Sequence, residues 1–76
     1  MSKTTQALSL YRKGQLKRSL AIFKTFRLTF SKEQLRLFEI AYESLCGRDS
    51  FYKSLGLDTD EIIQQSKLLI NKTYLQ

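Results

Sequence analysis

The chain has 76 residues, of which 42% are hydrophobic and 26% charged, and its formal net charge is +6. This length and composition are typical of one small globular domain and argue against a disordered chain. The single cysteine excludes an intramolecular disulfide, and the absence of histidine excludes a histidine-based catalytic relay. No apolar run approaches the ~20 residues that a membrane span needs. We therefore expect a cytoplasmic protein with no membrane partner.

Proline is absent from the sequence, and only three glycines are present. Because proline breaks helices, and glycine and proline together mark the turns of β-sheets, their scarcity favours helices. We predict an all-α fold, a small bundle of four helices plus one short helix. No linker-like tract divides the chain, so residues 1–76 are expected to form a single domain.

The first two helices are predicted to form a basic antiparallel hairpin over residues 4–28. Apolar residues recur at helical spacing from Thr4 to Lys13, and Gly14 suits the left-handed position that ends a helix. A second apolar stripe extends from Gln15 to about Leu28 with a period near 3.6 residues. Two helices joined at one glycine fold back on each other.

The central helix is predicted over residues 32–46. Ser31 and Gln34 match a capping box, in which each side chain satisfies a backbone N–H of the other residue. The apolar stripe continues to Gly47, where a left-handed cap is expected. Cys46 lies late on this helix, and we expect it to be a buried small hydrophobic residue.

The last part of the chain is predicted to contain a short helix over residues 50–55 and a long helix over residues 59–74. Gly56 closes the short helix. Asp58 and Glu61 stand where carboxylates stabilise the positive end of the long helix. Apolar residues then recur at helical spacing up to Tyr74.

The small and aromatic residues of the N-terminal hairpin match a known repeat. When Gly14 is aligned with the turn, Ala7 takes the small position of the first helix, and Ser19 and Phe23 take the small and aromatic positions of the second. In this spacing the hairpin resembles a single tetratricopeptide repeat, a helical hairpin of about 34 residues. Ala41 lies one repeat length after Ala7, which implies a degenerate second half. The resemblance implies a protein-binding function.

Two residues depart from the repeat pattern, since Phe26 replaces a small residue and Ser31 replaces the closing proline. A plain helical bundle explains the same spacing, because small residues and glycines recur readily in amphipathic hairpins. A single repeat buries its apolar face only against a neighbour. The resemblance therefore implies capping helices or a homodimer.

The stretch from Ser50 to Gln65 resembles the helix-turn-helix of DNA-binding proteins around its central glycine. Tyr52, however, stands where that family has a small residue. Asp58, Asp60 and Glu61 lie at the end of the helix that would enter the major groove, where phosphates would repel them. We expect no DNA reading through this motif.

The positive charge is concentrated at the start of the chain. Residues 1–30 contain seven basic residues and no acid, whereas the remaining six basic residues are mixed with all seven acids, which leaves that part at −1. Such asymmetry attracts anionic partners, either an acidic protein or a nucleic acid, although a solvated face is the plain alternative. The candidate contact residues are Arg12, Lys13, Lys17, Arg18, Lys24 and Arg27.

No residues are expected to act in catalysis or to bind a cofactor or metal. One cysteine cannot form a thiolate zinc site, and Ile62 and Leu69 occupy positions that a calcium loop would give to ligands. We expect a non-enzymatic protein-interaction module, or a small adaptor or inhibitor, that binds an acidic partner. The alternatives are a nucleic-acid-binding or transcription-regulatory protein and a structural homodimer. The short, basic, helical chain also resembles small accessory proteins of phages and integrative elements.

Overall fold

The computed structural model describes residues 2–75, and this part of the chain is all-α, without a β-strand. A π-helical turn, Ser44–Arg48, joins the third helix to the fourth. The helices are α1 (Lys3–Arg12), α2 (Leu16–Phe23), α3 (Lys32–Glu43), α4 (Asp49–Ser54) and α5 (Thr59–Tyr74). The predicted all-α fold class is confirmed, with four longer helices and one short one.

Three of the helices, α1, α3 and α5, begin at residues whose side chains satisfy free backbone N–H groups. Ser31 and Gln34 form the predicted capping box, in which Ser31 Oγ accepts from the Gln34 N–H and Gln34 Oε1 accepts from the Ser31 N–H. Asp58 accepts from the backbone N–H of Glu61 at the start of α5. Ser2 caps α1 in the same way. These bonds stabilise three of the helix starts from within the first turn.

Helices α1 and α2 form an antiparallel hairpin around Gly14, whose φ of +80° is the left-handed conformation that glycine adopts without strain. Ala7 and Ser19 face each other across this hairpin, and both are fully buried. Ser19 Oγ donates a hydrogen bond of 2.8 Å to the Ala7 carbonyl. Small side chains at both positions let the two helix backbones approach closely.

Helix α2 ends at Phe23, so the prediction that it extends to about Leu28 is wrong. The chain instead turns through residues 24–30, with the Phe26 N–H bonded to the Phe23 carbonyl and the Phe30 N–H bonded to the Phe26 carbonyl. This turn brings the rings of Phe26 and Phe30 to 5.4 and 6.4 Å from the Phe23 ring. Burial of these aromatic rings outweighs continuation of the helix.

Phe23 lies at the centre of the hydrophobic core. Its ring stacks on Phe38 of α3 at 5.9 Å and on Tyr74 of α5 at 5.6 Å, and edges of Phe26 and Phe30 complete the contact. The core therefore joins α2, the 24–30 turn, α3 and the end of α5. Its fully or nearly fully buried members are Ala7, Leu20, Phe23, Phe30, Phe38, Ala41 and Ile70.

Helix α4 lies at the far end of α3 from this aromatic cluster. Its Tyr52 is buried, and the phenol donates a hydrogen bond to the carboxylate of Glu43 at the end of α3. Gly47, with φ of +101°, redirects the chain within the π-helical turn. Ser44 is the last buried residue before this bend, and residues 45–48 face solvent. Cys46 is consequently exposed, so the prediction of a buried cysteine is wrong.

Candidate interaction surface

The turn of the α1–α2 hairpin gathers four of the six predicted contact residues. Arg12 ends α1, Lys13 follows it, and Lys17 and Arg18 lie in the first turn of α2. All four side chains are exposed. We call this set, Arg12, Lys13, Lys17 and Arg18, the hairpin-turn cluster.

Local geometry makes the start of α2 the most positive part of this cluster. Gln15 makes no capping hydrogen bond from its side chain, and the first turn of α2 contains no acid. The Gln15 side chain instead accepts a hydrogen bond of 2.7 Å from the Arg18 guanidinium. This bond holds the guanidinium beside the turn. Free N–H groups at a helix N-terminus carry partial positive charge, and here the charges of Lys17 and Arg18 add to it.

Lys24 and Arg27 are not part of the hairpin-turn cluster. Lys24 follows the last residue of α2 and is half-buried, with its ammonium 5.0 Å from the centre of the Tyr42 ring on α3. Arg27 is exposed and lines a shallow groove with Leu35 and Glu39 of α3. The fold therefore divides the six predicted residues into two groups.

The charges of the hairpin-turn cluster are not neutralised within the described part of the chain. Residues 2–75 contain two ion pairs, Arg36 with Glu39 at 3.3 Å and Lys53 with Asp49 at 3.4 Å. Both pairs lie outside the α1–α2 hairpin. The four cations are therefore available to an anionic group from another molecule.

The aromatic residues interleaved with these cations belong to the interior. The Tyr11 phenol donates a hydrogen bond of 3.1 Å to the Asn71 side chain on α5. Phe26 packs edge-on against Phe23. Both rings have structural contacts, and neither forms a free platform on which a nucleic-acid base would stack.

The region that resembles a helix-turn-helix presents an acidic surface. Tyr52 is buried, and its hydrogen bond to Glu43 raises the pKa of the phenol above its ordinary value of 10.0. Asp60 and Glu61 are exposed in the first turn of α5, beside the capping carboxylate of Asp58. Such a surface repels phosphates.

Sequence reasoning missed Leu28, which it treated only as the approximate end of the second predicted helix. In the structure Leu28 projects into solvent, and its exposed fraction is 104% of the reference value. It lines a shallow groove with Lys3 and Arg27. The sequence contained a signal for this exposure. With helical spacing, Phe26 and Phe30 would share one face, and the residue midway between them would lie on the opposite face.

No group of three or more cysteine, aspartate or glutamate side chains in residues 2–75 is arranged to hold a metal ion. Across the same residues, every helix is too short or too polar to cross a membrane. No protein-family model matches the sequence, and comparisons with curated proteins and with solved structures give no match. The chemistry and geometry of the surface therefore carry the functional argument.

Proposed function

We propose that this chain is a non-enzymatic protein-interaction module, an adaptor or inhibitor, that binds an acidic partner protein through the hairpin-turn cluster. One observation carries the proposal. Four exposed cations flank the turn of the α1–α2 hairpin, and no acid in residues 2–75 forms an ion pair with any of them.

The cluster would act mainly by attracting and orienting the partner. A carboxylate that approaches the start of α2 meets Lys17, Arg18 and the positive end of the helix together. Each exposed ion pair contributes about 0–1 kcal/mol, so four such pairs give at most a few kcal/mol. The main effects are a faster association rate and strong salt dependence.

A protein partner fits this surface better than a nucleic acid does. A nucleic-acid backbone presents one phosphate after another, and cations that follow it form an extended track. Here the four exposed cations flank one turn of the chain, and the Lys24 ammonium lies 5.0 Å from the centre of the Tyr42 ring. A compact group of carboxylates on a protein surface is complementary in charge to the four cations at the hairpin turn. Nucleic-acid binding remains the alternative function.

Two further expectations drawn from the sequence belong to the proposal. Ala7 and Ser19 are fully buried at the contact of α1 and α2, where a tetratricopeptide-like hairpin requires small residues. Cys46 is a free, exposed thiol, and such a thiol suits a reducing compartment such as the cytoplasm. We include both the repeat-like hairpin and the cytoplasmic location in the proposal.

The test compares two doubly charge-reversed variants with the same net charge. Lys17→Glu with Arg18→Glu alters the hairpin-turn cluster, and Arg48→Glu with Lys72→Glu is the matched control elsewhere on the surface. Proteins from the native cell are captured by crosslinking to each form, at ~50 and ~200 mM salt. We expect an acidic protein that wild type and control retain, that the cluster variant loses, and that higher salt weakens.

The same three proteins are titrated into a labelled random DNA duplex and a labelled RNA, with fluorescence anisotropy as the readout. Binding that only the cluster variant loses, with a steep salt dependence, would favour the nucleic-acid function. Equal loss of the protein partner in both variants would contradict the proposal, because net charge alone would then explain the attraction.

A further inference from the structure

The two ends of the molecule expose apolar side chains in surroundings of opposite charge. At one end Leu28 projects from the 24–30 turn. Lys3 and Arg27 line the groove beside it, and Arg27 and Lys32 line the adjacent groove. Glu33 directly follows Lys32, and Glu39 lines another groove with Arg27, so the three cations here outnumber the two nearby acids. We call the set Lys3, Arg27, Leu28 and Lys32 the basic end.

At the other end, one face of α4 and the turn after it are apolar and uncovered. Phe51 and Leu55 lie four residues apart on α4, with exposed fractions of 58% and 62%, and Leu57 follows with 37%. Residues 49–61 contain four acids and one lysine, which gives a net charge of −3. We call this surface the α4 end; its members are Phe51, Leu55, Leu57, Asp58, Asp60 and Glu61.

These two surfaces lie at opposite ends of α5. Tyr74, near the end of α5, packs 6.3 Å from the Phe30 ring, which lies beside the basic end. Thr59 begins α5 directly after Asp58 of the α4 end, whose Asp60 and Glu61 lie in the first turn of α5. The 16 residues of the helix span roughly 24 Å. One molecule therefore cannot cover its own Leu28 with its own α4.

We infer that the basic end of one copy docks on the α4 end of a second copy, with Leu28 inserted among Phe51, Leu55 and Leu57. Charge complementarity selects this pairing, because contact between two basic ends or two α4 ends places like charges together. Burial of Leu28 supplies the affinity, and the surrounding charges set the orientation. This contact does not use the hairpin-turn cluster and is independent of the proposed function.

The inference is tested on the purified chain by sedimentation equilibrium from ~1 µM to ~1 mM at ~50 mM salt. We expect the average mass to rise above 8.9 kDa with concentration. Leu28→Ser weakens self-association about tenfold or more, because a leucine side chain is no longer buried. Phe51→Ser with Leu55→Ser weakens it at least as much. Salt at ~500 mM weakens the wild-type association through screening.

The matched control is Leu68→Ser, which removes a leucine on α5 with an exposed fraction of 59%. We expect its self-association to equal that of wild type. All four substituted residues are exposed, so circular dichroism should show an unchanged helical fold for each variant.

Mixing identifies which surfaces meet. Leu28→Ser retains a functional α4 end, and the Phe51→Ser, Leu55→Ser variant retains a functional basic end. An equimolar mixture is expected to form pairs that neither variant forms alone. A mass of 8.9 kDa at every concentration, association that survives both variants, or a mixture that stays monomeric would each overturn the inference.

Discussion

Replacement of Phe23 by alanine tests whether the aromatic cluster holds the helices together. Phe23 is fully buried, and its ring centre lies 5.4–6.4 Å from those of Phe26, Phe30, Phe38 and Tyr74. Removal of a buried phenylalanine side chain costs about 3–5 kcal/mol. At ~0.05–0.15 kcal/mol per residue, a chain of 76 residues has a free energy of unfolding of about 4–11 kcal/mol. The substitution therefore removes a large share of the total stability.

Phe51→Ala provides a control with the same chemical change at an exposed position. Because 58% of Phe51 is exposed, we expect its free energy of unfolding to fall by only about 0.5 kcal/mol. Both variants are unfolded with urea and followed by circular dichroism at ~1 µM, where self-association is weakest. The two changes in free energy should differ by at least about 2 kcal/mol.

Equal destabilisation by Phe51→Ala and Phe23→Ala would show that the Phe23 ring is not the centre of the core packing. A cost of less than about 1 kcal/mol for Phe23→Ala would show the same. The denaturant slope is compared in both variants, because an altered slope would indicate a change in the unfolded state.

Two other substitutions test individual hydrogen bonds. Ser19→Ala removes the buried bond to the Ala7 carbonyl, so the free energy of unfolding measured in urea should fall by about 1 kcal/mol. For Tyr52, the bond to Glu43 raises the folded-state pKa of the phenol above 10.0. Wild type should therefore exceed Tyr52→Phe in stability at every pH from neutral up to about 10, and lose this advantage as the pH rises through the folded pKa. A constant difference between pH 8 and 12 would contradict the role of this bond.

The features that sequence reasoning predicted depend on residues close together in the chain. The capping box of Ser31 and Gln34 joins residues three apart, and the cap between Asp58 and Glu61 has the same spacing. Gly14 and Gly47 were placed at turns because glycine tolerates positive φ, and both have it. Local hydrogen bonds and local sterics decide these features, so the sequence specifies them without knowledge of the rest of the fold.

The features that were missed depend on contacts between distant parts of the chain. The apolar period continues past Phe23, yet the helix stops there because Phe26 and Phe30 turn back onto the core. Cys46 follows an apolar stripe, yet it faces solvent because the chain bends at Gly47 to place Tyr52 against Glu43. In both cases packing between distant parts of the chain overrides the local sequence pattern. The neighbouring residues alone do not show which of these two effects decides the structure.

Some features of the candidate surface are evident in the sequence, and others depend on contacts between distant parts of the chain. The positive charge of residues 1–30 is evident in the sequence, but the early end of α2 assigns Arg12, Lys13, Lys17 and Arg18 to one group and Lys24 and Arg27 to another. After this end the chain enters the 24–30 turn, from which Leu28 projects into solvent. Exposed cations attract and orient a partner but add little affinity, whereas a buried leucine adds affinity without long-range attraction. We propose that the hairpin turn and the 24–30 turn divide these tasks, so that one small chain would bind an acidic partner and a second copy of itself at separate surfaces.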